Sequence, residues 1–314
     1  RPDLVVYIGG HIVSKKLKSY LRSLKGVEQI RISQEADIED TFMHLTKVMD
    51  LPNSDAMSWL DNFGWHNQWE DYRKLWMDAL AKSYERKENF KPEFSSLATV
   101  KEFFSQLQKV EPQDFKAFTL GGKDAQDDGI YDRKFDTFLP GMMSSVFSGN
   151  SSAIRLMNLY ADRHVYCNRG VNGIEGSLST AVGFSMCKNK SDKHVYCVLG
   201  DLSFFYDQNA LWNRNLNGKL RIIVLNNGGG AIFGKFQGLK ESQAREEMIM
   251  AKHHATAEGI CSQNEVKYLA AHTMEEMEQG ISQLIHAESE RPMLLEVFTD
   301  MDVDNEMLEA IQKC

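Results

Sequence analysis

From Ser144 to Val297 the chain alternates short apolar, β-branched runs with longer amphipathic stretches, and this rhythm constrains the fold more than any other feature. The strand-like runs are Ser144–Phe147, His164–Cys167, His194–Leu199, Leu220–Leu225, Tyr268–Ala270 and Met293–Val297. Between them, apolar spacing predicts helices over Ser151–Tyr160, Gly176–Met186, Ser203–Leu216 and Met274–Glu288. Alternating β and α elements with strands apolar on both sides predict an α/β fold, a parallel sheet with helices on both faces. Ligands of such sheets bind at the carboxyl ends of strands.

The first ninety residues read as a smaller α/β piece. Leu4–Gly10 is a strand ending in a glycine turn, and Ser14 caps a helix through Leu17, Tyr20 and Leu21. Val27–Ile32 offers a second strand and Ile38–Val48 a second helix. Trp65, Trp69 and Trp76 recur at spacings of four and seven, which predicts a helix face packed on a core rather than a cofactor box. Pro92 follows the charged stretch Glu85–Lys91 and precedes a helical pattern over Leu97–Leu107, placing a domain boundary near residue 90. The polar segment Glu111–Pro140 reads as a long surface excursion. A chain of 314 residues suits two domains, 1–90 and 91–314.

Composition removes several classes of function. With 42% hydrophobic and 25% charged residues the chain is neither disordered nor fibrous. No apolar run approaches the ~20 residues of a membrane span; the strongest are short, such as Ile222–Leu225. A net charge of -8 disfavours nucleic acid as a main partner, leaving a local basic pocket open. The five cysteines form no CxxC pair and no zinc-like spacing, which reads as reduced thiols in a cytoplasmic protein. The chain opens on Arg1 rather than Met and runs directly into a strand, the expectation for an excised piece of a longer chain.

Two strand ends carry the chemistry. One runs into Gly200, Asp201, Leu202 and Ser203, the next into Asn226, Asn227, Gly228, Gly229 and Gly230, with one helix between them and 25 residues between Asp201 and Asn227. A right-handed crossover places both polar turns on one rim. A carboxylate, an amide oxygen and a glycine carbonyl free to turn inward suit Mg²⁺. A helix starting near Ser203 would aim N–H groups at a diphosphate there. Singly, Gly-Asp is a turn and Asn-Asn-Gly a loop, so a non-enzymatic binding domain stays open. A dinucleotide fingerprint would have its glycines open a helix, whereas Ala231, Ile232 and Phe233 fit apolar pocket residues better.

Together, GDLSFFYDQNALW…NNGGGAIF, GNSSAIR at Gly149–Arg155 and NRGVNGIEGSLSTAVG at Asn168–Gly183 resemble the thiamine-diphosphate enzymes. Within them they resemble the 2-succinyl-5-enolpyruvyl-6-hydroxy-3-cyclohexene-1-carboxylate synthases of menaquinone biosynthesis. Leu202 stands where most of the wider family has glycine. The resemblance covers the diphosphate-binding domain and the tail of the central domain before it. It implies a transferase joining decarboxylated 2-oxoglutarate to isochorismate, with thiamine diphosphate held by Mg²⁺ or Mn²⁺, in a homodimer or tetramer. The family's pyrimidine-binding domain, whose glutamate activates the cofactor, has no counterpart here, so the fragment is expected to be inactive alone.

By resemblance Asp201, Asn227 and the carbonyl of Gly229 are metal ligands. Gly200, Leu202 and Ser203 lie against the diphosphate, and Asn172, Gly173 and Ile174 against the thiazolium and pyrimidine, Ile174 propping the cofactor's bend. Asn172 departs from the serine common there. Ser151, Arg155 and Arg169 would meet substrate carboxylates, and Ile232 and Phe233 would form an apolar wall. Ser14, Lys15 and Lys16 match a substrate-facing basic turn, with a solvated helix start as the alternative. His253 and His254 lie where related enzymes have a histidine in a segment near the active site, but their surroundings depart from that pattern and a solvated or structural pair is the favoured reading; adjacent histidines are also poorly spaced to chelate one metal on a helix. Another thiamine-diphosphate carboligase or decarboxylase, such as an acetolactate-synthase-like enzyme, would share Asp201 and Asn227 without needing both arginines.

Overall fold

The computed structural model describes residues 1–10, 12, 14–34, 38–62, 70–111, 143–170, 172–187, 193–235 and 241–313. Tertiary contacts divide the chain into Arg1–Ala79 and Leu80–Cys314.

In the first unit, β1 (Leu4–Ile8), β2 (Glu28–Ser33) and β3 (Lys47–Asp50) form a parallel sheet in that order, with α1 (Lys15–Ser23) crossing from β1 to β2. The period of two sorts the side chains: Val5 and Tyr7 pack with Leu21, Leu24 and Phe42 on one face, Leu4, Val6 and Ile8 with Ile30, Ile32 and Ala56 on the other. Ser14 caps α1 as expected, its Oγ accepting from the Leu17 N–H at 3.2 Å. The helix expected over Ile38–Val48 does not form. Asp40 Oδ1 instead accepts from His44 N–H (2.9 Å) and Leu45 N–H (3.1 Å), and the chain extends into β3. A short carboxylate that bonds its own backbone competes with the helix.

Helices α2 (Asn53–Asp61) and α3 (Glu70–Asn89) follow. Trp65 and Trp69 lie outside the described residues. Trp76 is 47% exposed, and α3 buries none of its described residues, so the core role expected of the stripe does not hold for Trp76. Periodicity selects a helix face, not the surface that covers it.

The second unit begins its core with α4 (Ser96–Val110). Its remaining elements are β4 (Ser145–Ser148), α5 (Ser152–Tyr160), β5 (Val165–Cys167), α6 (Ser177–Met186), β6 (Val195–Gly200), α7 (Asp201–Tyr206), β7 (Leu220–Asn226), α8 (Glu258–Gln263), β8 (Lys267–Ala271), α9 (Met274–His286), β9 (Met293–Phe298) and α10 (Met301–Lys313). All six strands run parallel in the order β5-β4-β6-β7-β9-β8. Alternate residues of each strand face different helix layers: Tyr196, Val198, Ile223, Leu225 and Leu295 pack with α4, α5 and α9, while Cys197, Leu199, Ile222, Val224 and Leu294 pack with α6 and α8. This is the doubly covered parallel sheet expected. Of the Glu111–Pro140 excursion only Glu111 is described. Its buried carboxylate accepts from the Ser144 N–H (3.1 Å) and hydroxyl (2.7 Å) and pairs with Arg163.

The single helix expected over Ser203–Leu216 breaks at Asp207 and resumes as a 3-10 turn, Gln208–Trp212. The buried Asp207 carboxylate turns to the start of α6, accepting from the Ser179 N–H at 2.7 Å and from the Ser179 hydroxyl. It thereby satisfies an N-terminal N–H that Gly176 cannot cap. Helix α10 follows β9 and carries Asp304.

At the opposite end of β7 lies Arg221, 1% exposed. Its guanidinium donates to the carbonyls of Leu284 (3.0 Å), Ala287 (2.9 Å) and Gly218, and its Nη2 lies 3.3 Å from His194 Nε2. Burial first, then the charges of Arg221, Lys219 and Lys193, push the His194 pKa from 6.5 down to about 4. The fold thus holds His194 neutral. Above pH 6.5 the ring is neutral whether folded or not, and stability is unaffected. Between about 6.5 and 4 only the unfolded chain takes the proton, so stability falls as pH falls and levels off below. Urea titrations across that window are expected to show this slope, and His194→Gln to reduce it; an unchanged slope would remove His194 as its source.

Candidate cofactor and metal site

Strands β6 and β7 are neighbours, with Gly200 paired to Leu225, so their carboxyl ends deliver Asp201 and Asn227 to one rim. The Gly229 N–H donates to Asp201 Oδ2 at 2.9 Å, joining the two turns directly. Asp201 is 3% exposed, and its Oδ1 accepts from the Leu202 N–H at 2.7 Å. That N–H was expected to face the diphosphate, and a phosphate contact there would have to displace this bond. Helix α7 starts at Asp201 and has only six residues, so its dipole contributes less than the longer helix anticipated.

Asn227 is held from the far side. Its Nδ2 donates to Asp304 Oδ2 at 2.8 Å, while its Oδ1 is buried with no hydrogen-bond partner among the described residues. A buried acceptor left unpaired costs about 1–3 kcal/mol. The glycines shape the turn: Gly228 has φ +80° and Gly229 φ +150°, and a Cβ on Gly229 would lie 2.6 Å from the Met250 carbonyl. The Gly228 carbonyl accepts from His253 N–H at 2.9 Å, and the Gly229 carbonyl from Ala231 N–H at 3.1 Å. Since a carbonyl has two lone pairs, that of Gly229 keeps one for a ligand. One carboxylate, one amide oxygen without a partner and one glycine carbonyl fit a hard divalent cation. Among the described residues no cluster of three His, Cys, Asp or Glu offers a rival metal site.

His253 lies beside this site, the placement that the family resemblance offers as the alternative to a solvated pair. Its Nε2 lies 3.2 Å from Asp201 Oδ2, and its ring meets Phe205 edge to face with centroids 5.3 Å apart. Nδ1 accepts from the Ala255 N–H at 3.1 Å, so the proton of the neutral ring sits on Nε2, facing the carboxylate. The Asp201 carboxylate beside it raises the His253 pKa against the opposing effect of burial. His254 is exposed and lines a cleft of about 360 Å³ beside Asn227, Gly228 and Arg245. No local spacing linked His253 to Asp201, 52 positions away.

A second group gathers around Asn150, 2% exposed, which sequence reasoning did not single out. Its Nδ2 donates to the carbonyls of Asn168 (2.8 Å) and Gly173, and its Oδ1 accepts from Arg169 Nη1 at 2.7 Å. One amide thus joins all three segments carrying Ser151, Arg169 and Asn172–Ile174. Ser151 (φ +66°) and Asn172 (φ +62°) both adopt the left-handed region, uncommon outside glycine. Arg155, on α5, has a buried Nη1 with no hydrogen-bond partner among the described residues, and burial, then the charge of Arg169, lowers its pKa. Two neighbouring guanidiniums suit an anion. A Cβ on Gly149 would lie 2.9 Å from Leu199 Cβ and 3.6 Å from Ser203 Oγ, so this glycine brings the Asn150 group against the start of α7.

Ile232 is half-buried and Phe233 40% exposed on the 3-10 turn Ala231–Lys235. Gly173 and Ile174 are half-buried, Asn172 exposed. Lys15 and Lys16 are exposed on the first turn of α1, in the other unit. The structure therefore brings together Asp201, Asn227 and Gly229, and separately Arg155 with Arg169.

Residues 148–297 match the family described as thiamine pyrophosphate enzyme, C-terminal TPP binding domain. The 2-succinyl-5-enolpyruvyl-6-hydroxy-3-cyclohexene-1-carboxylate synthase of Phocaeicola vulgatus is 33% identical over 318 residues, covering 98% of this chain and 48% of the relative. That of Bacteroides thetaiotaomicron is 33% identical over 313 residues (98% and 49%), and that of Flavobacterium johnsoniae 32% over 303 residues (95% and 48%). The chain spans about half the length of these curated relatives. The crystal structure of benzoylformate decarboxylase from Polynucleobacter necessarius superposes with a TM-score of 0.59 over 95% of this chain and 49% of that one; at 12% identity it shows the fold alone. By sequence the chain is a relative of the 2-succinyl-5-enolpyruvyl-6-hydroxy-3-cyclohexene-1-carboxylate synthases, and its residues 148–297 carry the C-terminal TPP binding domain of the thiamine pyrophosphate enzymes.

Proposed function

We propose that this chain anchors thiamine diphosphate through Mg²⁺ or Mn²⁺ and serves the joining of decarboxylated 2-oxoglutarate to isochorismate in menaquinone biosynthesis. The observation that carries the reading is the buried, unpartnered Oδ1 of Asn227 on the strand end beside Asp201. Asp201, Asn227 and the Gly229 carbonyl hold the cation. Gly200, Leu202 and Ser203 flank the diphosphate, and Asn172, Gly173 and Ile174 line the cofactor's rings. When bound, thiamine diphosphate supplies the electron sink for decarboxylation and transfer of the remaining carbon unit.

The protein's share is orientation and charge. Arg155 and Arg169 take substrate carboxylates, Ser151 adds a hydroxyl, and Ile232 and Phe233 exclude water from the apolar side. The two guanidiniums, one with an open donor, favour a polyanionic substrate over the simpler 2-oxo acids of other carboligases. Lys15 and Lys16 are proposed as substrate-binding residues of the central-domain segment, 1–90, and 91–314 as the diphosphate-binding domain. A second copy of the chain is the proposed partner. No residue of this chain is assigned the cofactor-activating role, so turnover by the chain alone is not part of the proposal.

Calorimetry with thiamine diphosphate and Mg²⁺ tests it. Wild type is expected to bind, and EDTA or Asp201→Ala to weaken binding at least about tenfold, about 1.4 kcal/mol. Equal binding by wild type and Asp201→Ala would remove the metal assignment.

A further inference from the structure

The inference rests on the proposed cation site and concerns what aims its amide ligand. We infer that Asp304, on α10, is the positioning residue of that site, holding Asn227 with its oxygen rather than its nitrogen toward Asp201. The Asp304 carboxylate is surrounded by donors: Oδ1 accepts from the Ser96 N–H at 2.7 Å, and Oδ2 from the Ser96 hydroxyl at 2.7 Å, the Thr299 hydroxyl at 3.0 Å and Asn227 Nδ2 at 2.8 Å. The groups come from α4, from the residue after β9 and from the end of β7, so the carboxylate cannot swing without breaking bonds to three segments.

Burial raises the Asp304 pKa, and the hydrogen bonds from Ser96, Asn227 and Thr299 oppose that by stabilising the charge; as a carboxylate the group only accepts hydrogen bonds. It therefore selects one of the two amide orientations of Asn227, the one that presents Nδ2 to it. Oδ1 then faces away and is the atom found buried without a partner. With the amide reversed, two N–H groups would point at the cation and two oxygens at each other. Outer partners that orient a metal ligand typically change affinity 10–100-fold when removed. Asp304 is separated from Asn227 by 77 positions.

The test uses the full 314-residue chain with thiamine diphosphate present, titrating Mn²⁺ by electron paramagnetic resonance. Asp304→Asn keeps the shape but removes the preference, since its amide both donates and accepts; affinity is expected to fall about 10–100-fold. The exchange Asn227→Asp with Asp304→Asn restores a donor–acceptor pair with an oxygen aimed at the cation, and is expected to recover most of the loss. In the metal-free protein, the side-chain ¹⁵NH₂ resonance of Asn227, assigned by its loss in Asn227→Asp, is expected to shift in Asp304→Asn. Unchanged Mn²⁺ affinity in Asp304→Asn would overturn the inference while leaving the cation site standing. A loss that the exchange does not recover would reduce Asp304 to a packing role and overturn it too. Absence of Mn²⁺ binding by wild type would overturn the proposed function and this inference with it.

Discussion

Replacing Arg221 with methionine is expected to cost the fold about 3–5 kcal/mol through the acceptors it leaves unpaired, a large part of the 5–15 kcal/mol that holds an ordinary domain together. Among the described residues Arg221 has no carboxylate as a hydrogen-bond partner. It lies between the last turn of α9 and the start of β7, and its N–H groups serve the carbonyls of Leu284, Ala287 and Gly218. The α9 carbonyls belong to the helix end, where the intrahelical ladder has run out. Methionine fills comparable volume, so little cavity term arises. It leaves two buried carbonyls, of Leu284 and Gly218, and two part-buried acceptors, the Ala287 carbonyl and His194 Nε2, without their donor, at up to about 1–3 kcal/mol each before relaxation. A urea titration should show a lower midpoint at unchanged slope. A shift below about 1 kcal/mol would mean that water replaces the guanidinium and that its burial is incidental. The variant should also flatten the loss of stability between pH 6.5 and 4, because a nearby positive charge that suppresses His194 protonation is gone.

The second large effect is expected from Gly229→Ala. At φ +150° an L side chain is strained before any contact is considered, and the new Cβ would stand 2.6 Å from the Met250 carbonyl. Relief by moving the 250–253 segment is resisted, because Gly230 N–H donates to that same carbonyl at 2.6 Å and His253 N–H to the Gly228 carbonyl at 2.9 Å. The turn must open, and Asp201 then loses the Gly229 N–H. We expect about 2–4 kcal/mol of destabilisation and loss of Mg²⁺-dependent binding of thiamine diphosphate, read by thermal unfolding and calorimetry on one preparation. Gly259→Ala on α8 is the matched control. Its Cβ would meet nothing within 4 Å, so the substitution is expected to leave both readouts unchanged or raise stability by up to about 1 kcal/mol. Normal cation binding by Gly229→Ala would show that the turn tolerates a side chain.

Much of this was legible from local pattern. Near-continuous apolar strands such as Leu220–Leu225, separated by amphipathic helices, specify a parallel sheet because each strand must bury both faces. The handedness of the crossover then makes β6 and β7 neighbours, so the meeting of Asp201 and Asn227 needs only their spacing along the chain. Where local chemistry competes, the pattern misleads. Asp40 draws backbone N–H groups to itself where apolar spacing promised a helix, and Asp207 leaves its own helix to serve α6.

What no pattern contains is the company a side chain keeps across the fold. The sequence by itself determined the sheet, the rim and the two polar turns, because strand periodicity, turn chemistry and crossover hand act over a few residues or one connection. Only the tertiary structure decided that His253 faces Asp201, that Asn150 joins three segments and that Asp304 reaches Asn227. Those contacts span 18 to 77 positions and depend on where packed helices come to rest, which is settled by the fit of whole layers rather than by any local preference.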